Sequence, residues 1–318
     1  MEIINYTNKY IEEFAELGRK AEFYIANSKS QRTRAIYKIG WDCFTNWCIE
    51  RNLAYLPAQI ETVVAYLVEK AQILKMNTLD LRLLAIRDAH RCIGQPLRDH
   101  TSLLSQTLKG IRNVHGTPDY RKSPILLQDL KEMCLALGDS TVDIRNKAIL
   151  LVGFAGAFRS IEIVSIKFDD MTFTRNGIEL MIPRSKTDQT GKGQIVPIPF
   201  GSNPTTCPVR AVQDWLRISN VSTGFLFRAM KKGGVIKETG MRSIDLCYLV
   251  KNNPHLKMID GDFSSHSLRA GFCTQAAMKG VQEWAIMRQS RIVQSDTVKK
   301  YIRFGTMWQD CAAMQVGL

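Results

Sequence analysis

One segment without helical or strand periodicity divides this chain into two long parts. Residues 115–124 contain a glycine, two prolines and two cations, a composition typical of an exposed connection between domains. The chain has 318 residues, of which 45% are hydrophobic, and this is enough for two domains that each bury a core. We therefore predict a first domain over residues 1–115, a linker over 116–124 and a second domain over 125–318.

Helical periodicity runs through the first part. Apolar residues recur at helical spacing over 8–27 and again from Tyr37 to Cys48. Pro57 predicts the start of a third helix, and two more are predicted over 79–92 and 103–114. No run here alternates like a strand, so we expect the first domain to be entirely helical.

The second part combines helices with a small sheet. Helical patterns cover 125–137, 142–157, 205–219, 240–252, 266–280 and 283–289, and a further helix begins at Ser295 or Asp296. The predicted strands are 166–173, 178–183 and 194–199, the first two joined by a turn at 175–177. The predicted fold class is therefore mainly α with a small antiparallel β-sheet (α+β).

The charge balance indicates a polyanionic partner. The formal net charge is +13 and the isoelectric point is near 9.4, which favours nucleic acid first and an anionic membrane second. The sequence has no apolar run of about 18 residues and no signal-peptide pattern at its start. The eight cysteines show neither paired nor zinc-ligand spacing. We expect a cytoplasmic protein with reduced thiols and no metal.

Three residues near the C-terminus suit phosphate chemistry. His266 and Arg269 are three residues apart, so on a helix they share one face. Tyr301 lies among three cations in residues 298–303, and a phenol in a cationic pocket ionises more easily and becomes a plausible nucleophile. Taken singly, each feature is more often a solvated surface, so the interpretation depends on residues upstream.

Two further cations lie earlier in the second part. Arg159 follows an apolar helix without a break, and Glu162 is one helical turn away. This pair is either structural or part of a site. Lys186 lies in the polar connection 184–193 between two predicted strands. A lysine there is normally solvated, whereas a functional one would be carried into a site by the loop.

In order along the chain, these residues and their contexts resemble the tyrosine recombinases, the family of phage integrases and chromosome-dimer resolvases. The matching segments are 156–162, 184–188, 266–271 and 287–303. The resemblance covers the second domain from about Ser123 onward, and the helical first domain resembles the family's core-binding domain. It implies a tyrosine-recombinase-like catalytic domain.

The resemblance also implies a mechanism. Arg159 and Arg269 would clamp the oxygens of a scissile DNA phosphate. Tyr301 would attack phosphorus and form a 3′-phosphotyrosyl link, while Lys186 would protonate the departing 5′ oxygen. His266 would either hydrogen-bond the phosphate or help to take the tyrosine proton.

Further expectations follow from the same resemblance. Glu162 would orient the site from behind the clamp. Because the covalent link conserves the bond, no cofactor is expected.

The partner would be double-stranded DNA, bound by a homo-tetramer, with residues 304–318 docking in cis or onto a neighbouring subunit. Candidate DNA-binding residues are Lys29, Arg32, Arg34, Arg121 and Lys122, although such residues are more often simply solvated.

One position departs from the family pattern. The residue nine before the tyrosine is usually His or Trp, and here it is Ile292; the glycine expected before it is Arg291. Isoleucine cannot donate a hydrogen bond to phosphate, so Arg291 is a candidate substitute. We expect an active enzyme. The alternatives are a catalytically impaired or non-catalytic DNA-binding relative, or a related strand transferase that acts on DNA ends or supercoils.

Overall fold

A computed structural model describes residues 14–21, 23–25, 27–116, 122–183, 193–307 and 311–316. The chain divides into two compact units, Met1–Tyr120 and Arg121–Leu318. This division falls within the linker that the sequence predicts. Within the described residues, no helix has both the length and the apolar character needed to cross a lipid bilayer.

The first unit is helical wherever it has regular structure in the described residues. Residues 14–21 and 23–25 are helical, followed by α1 (Gln31–Ile49), α2 (Ile60–Ala71), α3 (Met76–Cys92) and α4 (Leu103–His115). Helix α1 packs on α3, and α2 packs on α4. Their apolar faces form one buried cluster centred on Phe44, Tyr66 and Leu79.

Local hydrogen bonds explain where helices α1 and α2 begin. The Ser30 hydroxyl accepts a hydrogen bond from the Thr33 N–H, at 3.1 Å, and caps α1. The prediction that Pro57 opens the next helix was wrong, because α2 begins only at Ile60. The N–H of Ala58 instead donates to His90 Nε2 on α3, at 2.9 Å, which holds this stretch outside the helix.

The second unit contains both helices and strands, as the sequence predicts. Its helices are α5 (Leu127–Leu135), α6 (Thr141–Ala155), α7 (Ser160–Ser165), α8 (Pro208–Ser219), α9 (Ser243–Lys251), α10 (His266–Met278), α11 (Glu283–Ser290), α12 (Ser295–Thr306) and α13 (Ala312–Gln315). Its strands are β1 (Met171–Thr174), β2 (Gly177–Ile182), β3 (Gln194–Pro199), β4 (Arg228–Met230) and β5 (Ile236–Gly240). The α+β fold class is confirmed.

Helix α6 forms the centre of this unit. Its residues from Ala148 to Val152 are buried on every side, as expected for a helix that is apolar all round. It packs against α8 and α10. The adjoining core also takes in the inward-facing residues of β2 and β3, so the end of α6 is a fixed point for the elements that follow it.

The three-stranded sheet is antiparallel in the order β1-β2-β3. The predicted first strand, 166–173, was only partly right, because residues 168–170 form a turn of 3-10 helix and β1 begins at Met171. The cause is local: the Asp170 carboxylate accepts a hydrogen bond from the Lys167 N–H, at 2.9 Å. Short acidic side chains favour such turns over strand pairing.

The segment that enters the second unit lies against the start of α10. The Ile125 N–H donates to the Ser267 carbonyl at 3.1 Å, and a Cβ added to Gly271 would lie 1.7 Å from the Ile125 carbonyl oxygen. The absence of a side chain at Gly271 therefore permits this contact between two backbones, and it fixes the first turns of α10.

The close approach of Gly271 to the Ile125 carbonyl predicts the effect of adding a methyl group at position 271. In a helix, Gly→Ala normally stabilises by about 1 kcal/mol, but in Gly271→Ala the new Cβ meets a backbone carbonyl. We expect a net loss of about 1–3 kcal/mol in the free energy of unfolding, typical of overpacking. Differential scanning calorimetry of the full chain measures it.

The control is Gly110→Ala in α4, where an added Cβ meets nothing within 4 Å. It should raise the stability of its own unit by roughly 0.5–1 kcal/mol. A Gly271→Ala protein as stable as the wild type would show that the close approach is not a constraint.

Candidate active site

The site begins where α6 ends. Arg159 is the residue before α7, and its Nη1 donates to Glu162 Oε1 at 2.7 Å, while its backbone N–H donates to Oε2 at 2.8 Å. The predicted Arg159–Glu162 pair is therefore confirmed. The Glu162 side chain is 2% exposed and that of Arg159 is 21% exposed, so Glu162 lies beneath an arginine that still reaches the surface.

A second arginine comes from α10. Arg269 is buried, and its Nη1 donates to the Ala157 carbonyl at 2.7 Å. Burial, followed by the positive charge of nearby Arg159, lowers the pKa of Arg269 to about 10. It therefore remains charged at neutral pH. Two guanidinium groups lie close together here, an arrangement that favours an anion between them.

A third arginine supports the other two from inside the protein. Arg291 Nη2 lies 2.8 Å from Glu162 Oε2, and both side chains are 2% exposed. Its Nη1 donates to the Gly156 carbonyl at 3.0 Å, and its guanidinium lies 4.6 Å from the centre of the Phe158 ring. The sequence suggested Arg291 as a substitute phosphate donor. The structure corrects this, because the guanidinium is buried among protein acceptors.

These cations determine the protonation state of Glu162. Burial alone raises the pKa of a carboxyl group, but Arg291 and then Arg159 lower it by more. The net pKa of Glu162 lies below its ordinary value, so the side chain is a carboxylate at neutral pH. A buried carboxylate between two guanidinium groups is stable only while both remain in place.

The phenol lies beside the imidazole. Tyr301, half-buried on α12, has its hydroxyl 3.4 Å from His266 Nε2 at the start of α10. Desolvation, followed by the charges of Arg269 and Arg159, lowers the pKa of His266 below its ordinary value, although the residue retains exposure to solvent. The neutral ring can accept a proton from the phenol.

Ile292 has a packing role. It is buried in a small apolar cluster with Cys273, Ile286 and Val298, and Tyr301 packs against the same cluster. Helix α12 packs on α10 and α11. The side chain at this position therefore supports the helix that carries the phenol and supplies no polar atom to the site.

The remaining sequence candidates have varied surroundings. Lys186 and Arg121 lie outside the described residues. Lys29 pairs with Asp88 at 2.5 Å, and Lys122 pairs with Asp262. Arg32 and Arg34 are exposed at the start of α1. Contact of these residues with DNA stays a prediction.

Sequence reasoning missed the backbone contribution to the site. The Ala157 carbonyl accepts hydrogen bonds from both Arg269 and Arg291, and Ala157 has a φ of +45°. A carbonyl leaves no side-chain signal in a sequence. Sequence reasoning also missed a structural tie that ends on residues other than the two arginines: the Gln289 amide donates to the carbonyls of Ala155 and Pro197, at 2.9 and 3.0 Å, and joins α11 to α6 and β3.

Known proteins resemble this chain in sequence and in fold. The phage integrase family matches residues 125–305. An integrase/recombinase xerD homolog of Selenomonas ruminantium is 33% identical over 312 residues, 96% of this chain and 91% of that protein. The recombinase cre of Escherichia phage P1 is 25% identical over 280 residues, 81% of this chain and 79% of that one.

A solved structure shows the same fold. The Tn1549 transposon integrase, in complex with transposon right end DNA, matches with a TM-score of 0.62 at 14% identity, over 89% of this chain and 92% of that chain. Fold, sequence similarity and the family match together support one assignment. The chain belongs to the phage integrase family and is a tyrosine recombinase.

Proposed function

We propose that this chain is a site-specific DNA recombinase or integrase that cleaves and rejoins DNA strands through a covalent 3′-phosphotyrosyl intermediate. The observation that carries the proposal is the position of the Tyr301 hydroxyl, 3.4 Å from His266 Nε2, which in turn lies close enough to the charges of Arg269 and Arg159 for them to lower its pKa. The relatives bear recombinase and integrase names, and the Tn1549 integrase was solved with DNA. Double-stranded DNA is the proposed substrate.

The two arginines of the proposed phosphate clamp are held in place by different partners. Arg269 is fixed by the Ala157 carbonyl, and Arg159 is fixed by Glu162 while retaining exposure. Their remaining N–H groups bind the non-bridging oxygens of the scissile phosphate. Because the transition state carries more negative charge than the ground state, fixed guanidinium groups stabilise it preferentially.

The proton transfers follow from the neighbouring groups. His266 in its neutral form takes the Tyr301 proton as the phenol oxygen attacks phosphorus. Lys186 is proposed to protonate the departing 5′ oxygen, on the basis of the family resemblance of its segment. A 5′ hydroxyl from a second strand then attacks the phosphotyrosine and releases Tyr301, so the bond is conserved without an external energy source.

Assembly and location are also proposals. Recombination between two sites brings four cleaved strands together, which suits a homo-tetramer on DNA. The tail, part of which forms α13, is proposed to dock onto a neighbouring subunit. The cysteines are free thiols, in keeping with action in a reducing cytoplasm.

The nucleophile assignment predicts the effect of removing one oxygen atom. Tyr301→Phe should abolish covalent protein–DNA adducts on a nicked suicide substrate, because no phenol oxygen remains to attack phosphorus. Binding of the same DNA in a gel-shift assay should be unchanged. Denaturing gels detect the adduct.

Tyr248→Phe is the matched control, since Tyr248 lies exposed on α9. It should form adducts at the wild-type rate. Adducts that persist in Tyr301→Phe would place the nucleophile elsewhere.

The lowered pKa of His266 predicts a pH dependence. A base with a lowered pKa stays neutral to lower pH, so the single-turnover cleavage rate should be flat from about pH 8 to the ordinary imidazole value of about 6.5. It should fall only below that pH, as the imidazolium form appears. Glu162 stays ionised over this range because its pKa is also lowered.

His266→Gln should lose this acidic decline and react slowly at every pH. A wild-type rate that instead rises on acidification would show that the protonated ring is the active form. In that case His266 would act as a hydrogen-bond donor to the phosphate, the second role that the sequence allows.

A further inference from the structure

We propose that Arg291 is a positioning residue that fixes both arginines of the phosphate clamp, Arg159 and Arg269, through one buried network. This inference rests on the proposed function. The Arg291 side chain is buried, with 2% of it exposed, and its guanidinium is directed at protein acceptors. Its effect on the reaction is therefore transmitted through the residues that it holds.

The first arm of the network leads to Arg159. Arg291 Nη2 donates to Glu162 Oε2 at 2.8 Å. The same carboxylate accepts the side chain of Arg159 at 2.7 Å through Oε1 and its backbone N–H at 2.8 Å through Oε2. The Glu162 carboxylate is thus held by the buried guanidinium of Arg291, and it orients the more exposed guanidinium of Arg159.

The second arm leads to Arg269 through the backbone. Arg291 Nη1 donates to the Gly156 carbonyl at 3.0 Å, and Nη2 lies 3.3 Å from the Ala157 carbonyl. The Ala157 carbonyl also accepts from Arg269 Nη1 at 2.7 Å. Ala157 has a left-handed φ of +45°, which is unfavourable for a residue with a Cβ. Arg291 therefore helps to hold a strained backbone turn whose carbonyl orients Arg269.

Only a planar group with several donors can make these contacts at once. The guanidinium reaches a carboxylate and several carbonyls, and it also stacks over Phe158. Lysine carries the same charge as a single compact centre and lacks this fork. Arg291 also has a left-handed φ of +56° at the end of α11, where glycine would be unstrained. Its buried contacts offset that conformational cost.

A neighbouring residue allows structural and positioning roles to be separated. Gln289 joins α11 to the Ala155 and Pro197 carbonyls at 2.9 and 3.0 Å. These ties come from the same segment and end on residues other than the clamp, although they are less buried than the contacts of Arg291. Slowing that reflects only lost stability should follow the melting temperature in variants of both residues, whereas loss of clamp orientation should slow Arg291 variants beyond what their melting temperatures explain.

The experiment compares Arg291→Gly with Gln289→Met in the full chain. Glycine removes the guanidinium and relaxes the left-handed position. Single-turnover cleavage of a nicked suicide substrate at saturating protein should slow on the order of 10- to 100-fold in Arg291→Gly, as expected for displaced catalytic groups. DNA affinity should change by less than about threefold, because phosphate contacts outside the scissile site supply most of it. Gln289→Met should cleave within about threefold of wild type, because its side chain shares no hydrogen-bond partner with Arg159, Arg269 or Glu162 and the variant retains the backbone carbonyl that accepts from Arg291.

Glu162→Gln and the double variant with Arg291→Gly test the route of the effect. If Arg291 acts partly through Glu162, the two losses in rate will be less than multiplicative, as expected for members of one network. Arg291→Lys, which retains the charge and most of the volume, should fold and cleave at an intermediate rate. This variant keeps the test decisive if Arg291→Gly proves too unstable to assay.

The inference would be overturned by equal slowing in Arg291→Gly and Gln289→Met at matched melting temperatures, or by independent effects of Arg291→Gly and Glu162→Gln. Wild-type and Tyr301→Phe proteins are assayed alongside. Absence of adduct with wild type rejects the proposed function and, with it, this inference. Adduct with wild type and an unaffected Arg291→Gly rejects the inference alone.

Discussion

The buried carboxylate of Glu162 between two guanidinium groups is the interaction on which the site depends. Arg159 lies above it and Arg291 below it, at 2.7 and 2.8 Å. Removing a carboxylate from water is costly unless charged partners replace the water. Here both partners are supplied by the fold, from the start of α7 and the end of α11. The ion pair therefore forms only when these elements are correctly packed, and it links folding to the orientation of Arg159.

The elements that meet at the site are fixed by apolar packing. The second half of α6 is buried on all sides and ends shortly before Arg159, while α10 packs on it and carries His266 and Arg269. Gly271 allows the backbone of α10 to touch the entering segment, and the cluster around Ile292 supports α12, which carries Tyr301. The polar groups are thus held by close-packed surroundings that resist displacement, which is what preorganised electrostatic stabilisation requires.

Much of this was accessible from the sequence because the signals are local. Periodicity located α6 and α10, and the three-residue spacings of Arg159–Glu162 and His266–Arg269 predicted shared faces. The strand 166–173 was partly wrong because one aspartate bonds to the nearby backbone. Contacts such as Arg291 to Glu162, 129 residues apart, have no local signature. The role of the Ala157 carbonyl is equally invisible, since every residue has one.

Ile292, at the position that departs from the family pattern, contributes packing and no polar atom. An apolar residue there packs beneath the tyrosine helix, and the adjacent arginine turns inward to the clamp. The polar group of this segment is the Arg291 guanidinium, which binds the buried Glu162 carboxylate and is shielded from solvent. Hydrogen bonds to charged groups are stronger in such surroundings than in water.

The most direct test of the central claim is a crystal structure of the wild-type chain on DNA, with vanadate at the cleaved position as a mimic of the five-coordinate phosphorus. The account predicts that Arg159 and Arg269 both bind oxygens of the same vanadium centre, at about 2.7–2.9 Å as in other charge-assisted hydrogen bonds. It also predicts Tyr301 as an apical ligand, with Glu162 still bonded to Arg159 and Arg291. A complex in which the two arginines contact different phosphates, or in which Glu162 has left either partner, would contradict it.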